Sequence, residues 1–193
     1  MPMLWYGRDE YRINPSAFEQ LTNDSDRAAG LVAAAIVEQR LEEVIKFWLE
    51  KDLEVQEKLF RVSGPLGTFS VKIDLAYLMG IITSEGRKDL IRMKDIRNDF
   101  AHKLDIDSFK VQSIADRCKN LRLVDTHVAE PHPNSPFRST YVQEKDGRPY
   151  IPGYRGVAEE LKDARKRYII TAQLLSFFLG RAVDYADRLK PYF

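Results

Sequence analysis

The sequence predicts an all-α fold, a helical bundle with a long C-terminal helix and a Pro-rich loop or small hairpin inserted before it. Three observations carry this. Apolar residues recur at three- and four-residue spacing through most of the chain, as they do in helices with one buried face. Capping residues and glycine or proline breakers divide those segments where helices start and stop. One stretch, about 125–154, departs from the pattern with five prolines and two glycines. The 193 residues are read as a single helical domain, 1–193, with the bundle core at about 24–122 and 155–190. That length can bury a substantial core.

Along the chain, Asn23-Asp24-Ser25-Asp26 offers N-cap side chains, and RAAGLVAAAIVEQRLEEVIKFWLE follows. In it Leu31, Ala34, Ala35, Val37, Leu41, Val44, Ile45, Trp48 and Leu49 mark a long amphipathic helix, Ala-rich in its first half and suited to close packing. DLEVQEKLF predicts a short helix, stopped by Ser63-Gly64-Pro65-Leu66-Gly67. After Thr68, the residues Phe69, Val71, Ile73, Leu75, Ala76, Leu78 and Met79 suit another helix, closed by Gly80. Thr83 or Ser84 can cap the next, which runs through Leu90, Met93, Ile96, Arg97 and Phe100 to about His102. Ser108 is placed to cap FKVQSIADRCKNL.

In the inserted stretch, STYVQ and RPYI are placed to pair as a small hairpin around Lys145-Asp146-Gly147. Its aromatics and low charge point to an ordered flap rather than a linker. The last segment, about Gly156 to Leu189, reads as one helix of roughly 34 residues, or about 50 Å. Its centre, YIITAQLLSFFLG, is apolar nearly all round. Such a helix must be covered on several sides, by the rest of the bundle or by a second subunit, and a homodimer is expected on that ground.

Composition narrows the function classes. Thirty Lys and Arg against 29 Asp and Glu give a net charge of +1, so the whole chain carries no footprint for tight non-specific binding of nucleic acid, and any RNA site has to be local. No long uncharged apolar run suggests a membrane span, and MPMLWYGRDE lacks the basic and apolar regions of a secretory signal. A cytoplasmic protein is expected, and the single Cys118 fits a reducing compartment. No cofactor and no metal is expected.

The stretch that invites a chemical reading is RNDFAH, Arg97 to His102. Arg97 and His102 lie about 140° apart on an ideal helix, so they share a face only if the helix ends or unwinds just before the histidine. Asn98 and His102, at i and i+4, do share one. A histidine moving the proton of a 2′-hydroxyl or leaving group, with an arginine on the scissile phosphate, can cleave RNA without a metal. The same residues can equally cap and cross-link helices, with Arg97 paired to Asp95 or another acid; spacing leaves both uses open. Around the hexapeptide, Arg87, Lys88, Arg92, Lys94, Arg97 and Lys103 outnumber Glu85, Asp89, Asp95 and Asp99 by two, which permits an RNA site without arguing for one.

Other motifs read as structure. Gly64-Pro65-Leu66-Gly67 lacks the Lys-Ser/Thr ending of a phosphate loop and reads as a turn setting the approach of two helices. His127, Glu130 and His132 stand among prolines that restrict the backbone, and read as a solvated loop rather than a metal site. Cys118 reads as a small core residue. Lys162, Arg165, Lys166 and Arg167 interleave with Glu159, Glu160 and Asp163, as on a solvated face with i to i+4 pairs such as Asp163 with Arg167.

GPLGTFSVKIDLAYLMGIITSEGRKDLIRMKDIRNDFAH, Gly64 to His102, resembles the core of the bacterial mannitol operon repressor family, in which a GPLG turn leads to an amphipathic helix ending in glycine and then to a second helix. The resemblance covers about 40 residues closely. It implies an all-helical fold and a role in transcriptional regulation without a familiar DNA-binding motif, and so action mainly through contacts with a protein partner. RNDFAH is also similar to the arginine-to-histidine signature of HEPN domains, helical bundles that are often dimeric and include metal-independent ribonucleases of toxin or defence type. That second likeness implies Arg97, Asn98 and His102 as active-site residues brought together across a subunit interface. The two are compatible, because a regulatory branch can be built on the same bundle. Whether the chain is an enzyme stays open at this point.

Overall fold

The computed structural model describes residues 18, 20, 21, 23–125, 143–145, 148–150 and 160–186. Their helices are α1 (Asp26–Trp48), α2 (Leu53–Phe60), α3 (Phe69–Leu78), α4 (Ser84–His102), α5 (Gln112–Lys119) and α6 (Ala164–Ala186). Two short strands, β1 (Gln143–Lys145) and β2 (Arg148–Tyr150), pair antiparallel with Lys145 opposite Arg148.

Helix starts follow capping chemistry. The Ser25 hydroxyl accepts from the Ala28 amide, the Asp52 carboxylate from Val55, Thr68 from Val71 and Thr83 from Gly86, each satisfying an amide that the first turn leaves open. α3 stops at Gly80, whose φ of 72° a residue with a Cβ adopts only with strain. The GPLG turn owes both glycines to close approach. A Cβ on Gly64 would overlap the carbonyls of Lys58 and Leu59, and one on Gly67 those of Arg61 and Val62, so the turn folds back over the end of α2. The Leu66 amide locks it there by donating to the Leu59 carbonyl at 2.9 Å.

α1 and α6 run along each other through Ala29, Ala33, Val37, Tyr168, Ala172, Leu175 and Leu179, all in one core with Leu90, Met93, Ile96 and Phe100 of α4. The small residues of α1 allow the near approach its Ala-rich sequence predicts. Gly30 is the extreme case, because the Phe100 ring fills the space a Cβ would need. Phe100 meets Phe109 edge-on at 4.9 Å between ring centroids, and Phe109 in turn meets Tyr168 at 5.2 Å. The other side of α6 is covered by a second cluster, in which Ile170 and Leu174 pack with Val124 and Leu161. The apolar centre of α6 is thus buried on two sides within one chain.

Three local readings change. α6 begins at Ala164, because the Asp163 carboxylate caps it by accepting from the Lys166 amide at 2.8 Å, after a turn closed by the Asp163 amide on the Glu160 carbonyl. α5 begins at Gln112 rather than after Ser108; the Ser108 hydroxyl is engaged by Asp26 of α1 at 2.7 Å. The basic run before Tyr168 is a solvated face only at Lys162 and Lys166, which are exposed. Arg165 donates to Asp26 and to the carbonyls of Leu21 and Asp24, while the buried Arg167 donates to the carbonyls of Cys118 and Leu121 and to Asp125. Asp163 is used as the cap, so it does not pair with Arg167.

Candidate functional site

The hexapeptide is built on the last turns of α4, and its six residues divide by direction. Asp99 and Phe100 point inward and are buried, Arg97 and Asn98 sit half-buried at the edge, and Ala101 and His102 are exposed. α4 stays helical through His102, with the Lys103 amide donating to the Asp99 carbonyl at 3.0 Å. Without a break before the histidine, Arg97 and His102 of one chain remain on different faces.

Arg97 donates to the Asn98 side-chain carbonyl at 3.0 Å, and its charge also acts on the phenol of Tyr168, whose ionisation burial suppresses strongly. Asp95, the acid considered for Arg97, pairs instead with Lys94 at 3.2 Å. The His102 imidazole makes no hydrogen bond to a described residue. The structure therefore brings Arg97 and Asn98 together and leaves His102 apart.

The end of α4 is held by residues that spacing did not single out. Arg27 of α1 donates through one nitrogen to the Phe100 carbonyl and through the other to the carbonyls of Lys103, Leu104 and Ile106. One guanidinium thereby satisfies one carbonyl of the last turn of α4, that of Phe100, and three of the segment that follows the helix. Asp99 is clamped by Arg117 at 2.6 Å and Lys103 at 2.9 Å. Burial alone would raise its pKa, but hydrogen bonds from Lys103 and Arg117 outweigh it and hold the carboxyl below its ordinary value.

Similar junctions recur. Asp89, fully buried, accepts from the amides of Arg122 and Leu123 and from Arg92, and burial wins there, raising its pKa. Asp26 is lowered, because the bonds from Ser108, Phe109 and Arg165 overcome burial. Lys72, buried on α3, bridges Glu38 and Glu42 of α1 at 3.1 and 2.7 Å, and despite burial its pKa is raised. A sequence signal existed for Lys72, which follows Phe69 by three positions and precedes Ala76 by four, on the face that α3 buries. For Arg27 there was none, since its acceptors are backbone carbonyls more than 70 residues away.

Cys118 lies buried in the core, and its thiol is pushed up to about 12, chiefly by burial, so it is no nucleophile at neutral pH. Among the described residues no group of His, Cys, Asp and Glu could hold a metal ion, and no helix is long and apolar enough to cross a membrane. His127, Glu130 and His132 lie outside the described residues.

Among the described residues the helices form a bundle in which buried charges tie helix ends together, the end of α4 that carries RNDFAH among them. Residues 15–176 match the model of the mannitol repressor family, and the chain belongs to that family. A search among curated proteins gives no match. The X-ray structure of the MtlR-HPr complex from Escherichia coli is similar at a TM-score of 0.59 and 17% identity, over 86% of this chain and 96% of that one. At that identity the likeness is one of fold.

Proposed function

We propose that this chain is a cytoplasmic regulator of the mannitol repressor type that works by docking onto another protein, with HPr the first partner to test. The family match over residues 15–176 carries the reading, and the fold it shares with an MtlR solved in complex with HPr supports it. The near-neutral charge supports it too, because a protein that gripped DNA through its phosphates would need a basic face. The test is calorimetric titration of the purified chain with HPr from its own organism. Saturable binding of fixed stoichiometry is expected, and no heat at high micromolar concentration would remove HPr as the partner. Tight binding of the pure chain to promoter DNA at physiological salt would overturn the protein-docking reading itself.

The second reading is a metal-independent endoribonuclease in which Arg97 holds the phosphate, His102 moves the proton and Asn98 orients the histidine. In one chain Arg97 and His102 face different ways, so this chemistry requires a homodimer that joins Arg97 of one copy to His102 of the other. Sedimentation at micromolar concentration tests the assembly, and a monomeric mass would remove both the dimer and this reading. RNA cleavage in EDTA, lost in both Arg97→Ala and His102→Ala, would instead displace the regulatory reading.

A further inference from the structure

We draw no further inference here: the strongest candidate, the exposed apolar side chains of α2, α3 and the turn between them, carries nothing because nothing in the structure shows what covers them.

Discussion

Within RNDFAH the residues that chemistry would choose are half-buried or exposed, whereas Asp99 and Phe100 are buried and carry the fold. His102, exposed and without a described partner, should be dispensable for stability: His102→Ala is expected to leave the urea midpoint unchanged, and a large loss would reveal a contact not seen here. Gly30 is the opposite case. Alanine normally gains about 1 kcal/mol over glycine inside a helix. Here its methyl would meet the Phe100 ring, and overpacking typically costs about 1–3 kcal/mol. A net loss of stability in Gly30→Ala is expected in urea unfolding, and a gain would contradict the packing. Ser176 is buried with a hydroxyl that finds no hydrogen-bond partner among the described residues. Because an unsatisfied buried group costs about 1–3 kcal/mol, Ser176→Ala should raise the melting temperature. Phe100 was recognisable as an apolar position on its helix. That Gly30 is its socket was not, since nothing local links positions 30 and 100.

At the scale of elements, the helix boundaries that follow capping were legible. Ser25, Thr68, Thr83 and Gly80 act as their residue types predict. Two of the three changed readings share one cause: a side chain with local options was claimed by a distant partner. Ser108 serves Asp26, and Arg165 and Arg167 reach across the bundle. On α3 the apolar count concealed the buried face, because Lys72 is inside with its charge paired while Val71 and Leu78 are outside. Arg27 gives the sharpest test of an element. Arg27→Ala would remove the guanidinium from the carbonyls of Phe100, Lys103, Leu104 and Ile106, and hydrogen bonds from a charged donor are worth about 1.5–3 kcal/mol. Hydrogen exchange should quicken over residues 100–106 before the rest of the bundle. Arg27→Lys should not fully restore protection, because one ammonium cannot span the same set of carbonyls.

For the whole molecule, ionisation sets two stability limits. Asp26, Glu42 and Asp99 have pKa values below their ordinary 3.8, 4.5 and 3.8, so their contribution is complete above those values and fades as pH falls through the lowered ones. Lys72, raised above 10.5, contributes below that value and loses its contribution as pH rises through the raised one. Asp89 runs the other way, since its raised pKa favours the protonated form in the fold and makes its charge a cost at neutral pH. A stability profile should therefore fall in acid below about pH 4 and again in strong alkali, and Asp26→Asn should flatten the acid limb. An unchanged acid limb in that variant would show that Asp26 does not drive it. The bundle as a whole was legible because it follows from periodicity, and the chemical use of RNDFAH was not, because a fold does not fix the chemistry of a site.

The ties at the start of α1 also bear on the order in which the molecule can be made. Arg27 bonds to carbonyls 73 to 79 positions later, and Asp26 to a guanidinium 139 positions later. A ribosome releases α1 long before either arrives, so the first helix emerges with its opening turn lacking its partners. The flank of α1 that meets α6 stays uncovered until α6 follows, while α3 and α4 cover others. The nascent chain is thus most exposed to misassociation through the middle of its synthesis, and α6 both completes the core and brings Arg165 to Asp26.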